Sequence, residues 1–275
     1  MGGEAGLRAG QPAAGMSAAR LAVTGGVLSF RALFNWMRPG IYLPTMLGVP
    51  LFQIILFVYL GRYSRLHDDA FYIVGNAIAV SGMASVFGMT MVISNERYFG
   101  TLASVFASPA ARIPLFFGRV IPVAFHGLLV SAFGFLTGAA LFGFRIPGLR
   151  LLPLAGVVGL TVVASAGVGM FLGSLGLRVR DVYFVSNVAY VLMLLVSGVN
   201  VSTGLLAPWL EALGQALPLT HGIAAGRAVL SGPGTPVLRE LGWTAGLGTA
   251  YALAAYAFFR LWEIEGRRRG SFDIY

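Results

Sequence analysis

The stretch "SNERYFGTLASVFASPAARIPL", Ser94 to Leu115, breaks an otherwise oily chain with the pair Glu96-Arg97, Gly100 and two prolines. Asn95 can cap a helix, and Glu96 suits a helix N-terminus. Phe99, Leu102, Ala103 and Phe106 then follow at i, i+3, i+4 and i+7, one side of a helix, while Arg97, Thr101, Ser104 and Ser108 face away. Pro109 stops that helix and Pro114 starts the next one. The pattern predicts a short amphipathic helix set between two apolar segments. A loop that merely connects needs neither face. Docking on a protein and resting on lipid both fit the spacing.

The flanking runs set the class. Hydrophobic residues make up 57% of the 275, charged residues only 11%, and mean hydropathy is +0.81. Soluble domains carry about 25% charged residues, so the chain reads as a membrane protein. With no cysteine, neither a disulfide framework nor a thiolate metal site is available. Every one of the 19 basic residues is arginine, and the net charge is +9. In so apolar a chain this excess points to membrane edges and anionic lipid rather than to nucleic acid. No signal peptide is expected.

A spanning helix needs roughly 20 mostly apolar residues. Six segments qualify, near 41–61, 71–94, 114–144, 151–177, 182–199 and 241–262. The expected fold is therefore all-α, a polytopic membrane protein with six transmembrane helices. A cytoplasmic N-terminus puts 13 arginines inside, Arg97 and Arg267 to Arg269 among them, and 6 outside, which predicts that both termini are cytoplasmic. Residues 1–16 read as a disordered tail and 266–275 as a basic one. Between them, 17–265 form the transmembrane domain. Its first part, 17–38, shows an apolar stripe (Val23, Val27, Phe30, Phe34, Met37) beside a polar one (Arg20, Thr24, Arg31, Asn35, Arg38), the pattern of an interfacial helix. Between the fifth and sixth spans, Ser197–Gly222 has helically spaced leucines interrupted by Pro208 and Pro218. No piece there is long enough to cross. It predicts a broken segment re-entering the outer leaflet.

A resemblance adds to this reading. "NERYFGTLASVFASPAAR" resembles the cytoplasmic loop of the ABC-2 family of ABC-exporter permeases, with its Glu-Arg-x-x-Gly-Thr-Leu motif followed by Ser-Pro. "ALPLTHGIAAGRAVLSG" (Ala216–Gly232) and "RVRDVYFV" (Arg178–Val185) are similar to stretches of drug, nodulation-factor and polysaccharide exporters. The resemblance covers about 17 to 265. It departs at Asn200-Val201-Ser202, where many relatives carry an aromatic-proline pair. It implies the permease subunit of an exporter in the cell membrane. Two cytosolic ABC ATPase subunits and a second permease, identical or homologous, would complete it. Glu96, Arg97, Gly100, Thr101, Leu102 and Phe106 would couple the loop to the ATPase. The substrate implied is amphipathic: a drug-like metabolite, a lipid or a lipid-linked glycan. ATP and Mg would bind the partner, because a phosphate-binding G-x-x-x-x-G-K-[ST] loop cannot occur in a chain without lysine.

Two rival classes fit the sequence less well. An ion-coupled transporter buries acidic relays, but all ten acids fall in expected loops, tails or span edges. An intramembrane enzyme needs a nucleophile or metal constellation. His126 and Ser131 lie five apart in the third span with neither a G-x-S-x-G turn nor metal-ligand spacing. Gln53, Phe57, Tyr59, Asn76, His126 and Asn187 are candidates for the substrate path, with interhelical bonding, core packing or lipid contact as the alternative for each. Gly167 and Gly169 are expected to serve helix packing.

Overall fold

The computed structural model describes residues 47–98, 118–176, 182–232 and 236–269, with the isolated positions 40 and 44. The expected interfacial helix over 17–38, the loop positions Gly100, Thr101, Leu102 and Phe106, and the inner-loop arginines Arg178 and Arg180 lie outside the described residues. The order is α1 (Gly48–Ser64), α2 (Asp69–Tyr98), α3 (Val120–Phe142), α4 (Gly148–Gly176), α5 (Val182–Val196), a 3-10 turn (Thr203–Leu205), α6 (Pro208–Gln215), α7 (Pro218–Ser231) and α8 (Val237–Arg269). No strand occurs among the described residues.

Three of these helices, within α2, α3 and α4, are long and apolar enough to cross a membrane. α1 and α5 are apolar but shorter, at 17 and 15 residues. α8 begins before and ends beyond the expected 241–262. Its 33 residues extend about 50 Å at 1.5 Å each, and its C-terminal turns carry charged residues.

α2 is the central post. It packs against α1, α3, α4, α5 and α7. Within the apolar stretches, 78% of α2 is buried against 39% of α3, which places α3 at the rim. The main core joins Ile78, Ala79, Met83 and Val86 of α2 to Val158 and Val162 of α4 and to Leu219 and Ile223 of α7. Small residues set the spacing, since lipid gives apolar helices no hydrophobic reason to associate and close van der Waals contact must do so. A Cβ on Gly169 would strike the Val86 carbonyl, and Thr90 Oγ1 donates to the carbonyl of Gly169 at 3.1 Å. A Cβ on Gly167 would stand 2.6 Å from the Gly248 carbonyl of α8. Both glycines therefore pack within the chain.

Turns at one end are short and tied down. Asp68 Oδ1 accepts from the Phe71 N–H at 3.1 Å, starting α2. Gly143, at φ 68°, ends α3 in the left-handed conformation that glycine adopts without steric cost. Pro208 and Pro218, which break the leucine pattern in the sequence, stand at the first turns of α6 and α7. Their missing N–H groups cost nothing there. The broken segment is thus two short helices, each begun by its proline.

Candidate functional site

Three regions carry the candidate residues, and α2 links two of them. At its last turn stand Glu96 and Arg97. The sequence predicts a new helix capped by Asn95, but α2 runs unbroken through Tyr98. The reason is local: "ISNERY" contains no glycine or proline, so extending α2 removes the need for a cap. Glu96 consequently lies toward the negative end of the helix macrodipole, where a carboxylate gains nothing from the helix, and Arg97 lies where a cation is favoured.

About twenty residues away along α2, the membrane polar residues form a chain of amides. Tyr190 Oη of α5 donates to Gln53 Oε1 of α1 at 2.8 Å. Gln53 Nε2 donates to Asn76 Oδ1 at 2.9 Å. Asn76 Nδ2 donates to the Tyr72 carbonyl at 2.9 Å and to Asn200 Oδ1 at 2.8 Å. Asn76 is fully buried, and both its donors and its acceptor are engaged. The chain ties α1, α2, α5 and the segment after α5 at one level.

Of the six substrate-path candidates, the structure joins Gln53 and Asn76 directly, and sets Phe57 against the nearby Ile54, Val58 and Tyr72. Tyr59 is exposed, edge-on to Phe142 at 5.7 Å. His126 is buried on α3, and Asn187 is exposed on α5. Tyr190 and Asn200, which complete the amide chain, are absent from that set. Their role depends on partners over 120 residues apart in sequence, which no spacing reveals.

The third region is the 197–240 end. Arg227 of α7 reaches across the end of α5. Its Nη1 donates to the Gly198 carbonyl at 2.7 Å, and its Nη2 to the carbonyls of Val199 at 2.8 Å and Phe71 at 3.0 Å. The guanidinium carbon lies 3.5 Å from the Phe71 ring centroid, a cation–π contact. This one side chain satisfies carbonyls that the end of α5 and the following turn leave open. On α8, Glu240 is buried and accepts at Oε2 from His221 Nδ1 at 2.7 Å. Its other oxygen meets Arg239 Nη2 at 3.1 Å. The sequence places Glu240 at the edge of the expected sixth span and gives no sign of this pairing. The available signal was chemical: Arg227 and His221 are isolated polar residues in "LTHGIAAGRAVL".

No group of three or more His, Asp or Glu positioned to hold a metal ion occurs among the described residues. No curated protein matches the chain. The family model described as ABC-2 type transporter matches residues 26–230, well over half of the chain. That span takes in α1 to α5, the end of α2 that bears Glu96 and Arg97, and nearly all of α7 with its Arg227 clamp. An apolar helical bundle of this order is the transmembrane component of an ABC transporter rather than its nucleotide-binding part, and the chain belongs to the ABC-2 type transporter family.

Proposed function

We infer that this chain is the permease subunit of an ABC exporter in the cell membrane, driven by two separate ATPase subunits and working beside a second permease. The family match carries the reading. It is supported by the absence of lysine, which leaves these 275 residues without a phosphate-binding loop of the G-x-x-x-x-G-K-[ST] type. Six helices cross the bilayer: α1 to α5 and α8. α6 and α7 re-enter the outer leaflet, and both termini are cytoplasmic. Glu96, Arg97, Gly100, Thr101, Leu102 and Phe106 take up the motion of the ATPase. The substrate is amphipathic, a drug-like metabolite, a lipid or a lipid-linked glycan. Its route passes between the two permeases near Gln53, Phe57, Tyr59, Asn76, His126 and Asn187. Nothing in this chain performs covalent chemistry on it.

Affinity purification of the chain from its own cells in mild detergent tests the class. The expected result is a stoichiometric ATP-hydrolysing partner whose turnover in proteoliposomes responds to the permease. A permease that moves substrate under an ion gradient, with no ATPase bound, would replace this reading with a secondary transporter.

A further inference from the structure

A cavity of about 480 Å³ opens where α6, α7, the start of α8 and the turn after α5 meet. Ser197, His221, Arg227, Arg239, Glu240 and Trp243 are among the residues that line it. The His221 ring is held on both sides. Its Nε2 lies 3.0 Å from the Gln215 carbonyl oxygen, which only accepts, so Nε2 carries a hydrogen. Its Nδ1 lies 2.7 Å from Glu240 Oε2, and one hydrogen shared between them leaves the pair without net charge. Arg239 Nη2 donates to the other carboxylate oxygen at 3.1 Å. Trp243 stacks on the imidazole at 5.8 Å and 22°.

Two arginines, Arg227 and Arg239, therefore line this space beside a His221–Glu240 pair of no net charge. Among the described residues, neighbouring elements do not restore the balance. Arg150 of α4 donates to the Leu230 carbonyl and adds further positive charge. Glu211 of α6 does not line the cavity. Asp68 acts on Arg227 through space without an ion pair, and Arg227 bonds only to carbonyls. Donors are also left over. The buried Ser197 hydroxyl and the Arg227 Nε have no hydrogen-bond partner. Thr203 adds a hydroxyl to the lining, and so does Ser202, whose Oγ lies 3.1 Å from His67 Nε2. Trp243, 55% exposed, offers an apolar ledge beside them.

We propose that this cavity binds a phosphate group carrying net negative charge, with the attached organic part lying on Trp243. Donors contributed by three elements, the end of α5, α7 and α8, suit a tetrahedral anion better than a planar carboxylate. Such a phosphate can come from an anionic phospholipid or from a free phosphorylated solute.

Thermal-shift titration of the purified full chain in neutral detergent tests this with three probes: short-chain phosphatidylglycerol, short-chain phosphatidylcholine and inorganic phosphate. Saturable stabilisation by phosphatidylglycerol, at least tenfold tighter than by the zwitterionic lipid, is expected. Competition by inorganic phosphate would identify a general phosphate site, and its failure to compete a lipid-headgroup site. Either supports the proposal. Arg239→Gln and Trp243→Ala, both at largely exposed positions, should raise Kd at least tenfold while leaving the ligand-free melting temperature close to wild type. Arg145→Gln, an exposed arginine at the same end that does not line the cavity, should change Kd less than twofold. The proposal is overturned if neither phosphatidylglycerol nor phosphate binds saturably, if the two lipids bind equally, or if Arg145→Gln weakens binding as much as Arg239→Gln.

Discussion

Asn76 and Asn200 are 124 positions apart in sequence, yet their side-chain amides meet at 2.8 Å and close the chain that begins at Tyr190. Truncating Asn76 strips Gln53 Nε2 of its acceptor in a dry interior, a loss of about 1–3 kcal/mol. Asn76→Ala should lower the unfolding free energy in detergent by that order, and Asn200→Ala by less, because Asn200 is half-buried. A double-mutant cycle should return a coupling of roughly 0.6 kcal/mol, up to about 1.7, the range for such bonds in membranes. Strict additivity of the two losses would mean that the pair contributes nothing.

Arg227 should be the least replaceable arginine of the described bundle. Arg227→Met keeps much of the apolar stem but leaves three carbonyl acceptors without their donors. We expect a loss of at least about 3 kcal/mol, visible as aggregation in fluorescence-detected size exclusion. Arg227→Lys should not rescue it, since an ammonium cannot reproduce the planar fork. Monodisperse Met and Lys variants at wild-type yield would refute the clamp.

Two glycine substitutions separate packing from propensity. Gly169→Ala drives a methyl into the Val86 carbonyl and should cost about 1–3 kcal/mol. Gly246→Ala on α8 meets nothing within 4 Å. It should be neutral, or stabilising by up to about 1 kcal/mol, in the detergent-solubilised single chain. Chemical denaturation of both variants decides the matter, and equal effects would count against the close approach of α2 and α4.

The absence of cysteine makes topology directly measurable. Cysteines placed singly at Asp68 and Arg97, at opposite ends of α2, should react with an impermeant maleimide from opposite faces of the membrane. Labelling of both from one face would remove α2 from the list of spans.

Glu96→Ala combined with Arg97→Ala should leave the chain folded and inserted but lower transport and abolish the response of the partner's ATPase to substrate. Loss of partner affinity should reach a few kcal/mol if these charges are buried in the contact, and less at a solvated rim. Gly100→Leu should act more severely by holding the loop off its cleft. Glu211→Ala, on α6, is the control. Normal coupling in the double variant alongside uncoupling in the control would reduce the loop to a connector.

Composition and run length carry the membrane class, the all-helical fold and the three long apolar helices, because burial in lipid is written directly into apolar stretches of the right length. The end of α2 was misread because Asn95 has a capping side chain, and a cap is indistinguishable in sequence from a polar residue carried in a continuing helix. The amide chain and the Glu240 pairing were illegible for a different reason. Gln53 and Asn76 invite either a ligand or a partner, and only the packing of α1 onto α2 shows that they bond to each other. In the sequence Arg227 is one isolated arginine, whereas its meaning lies in carbonyls contributed by Phe71, Gly198 and Val199.

The unbroken course of α2 also fixes a phase. Each residue of an α-helix adds about 100° of rotation and 1.5 Å of rise, so the azimuth of Glu96 relative to Asn76 is set by the number of residues between them, with no proline in that interval to absorb an error. One inserted residue would turn the Glu96 end of the helix by more than a quarter circle against the amide chain, whereas seven would nearly restore the register while lengthening the post by about 10 Å. Chain length between these two positions should therefore be held more tightly than the identity of the side chains there. Tolerated insertions and deletions belong in the turns at 65–68 and 143–147, which carry no such angular constraint.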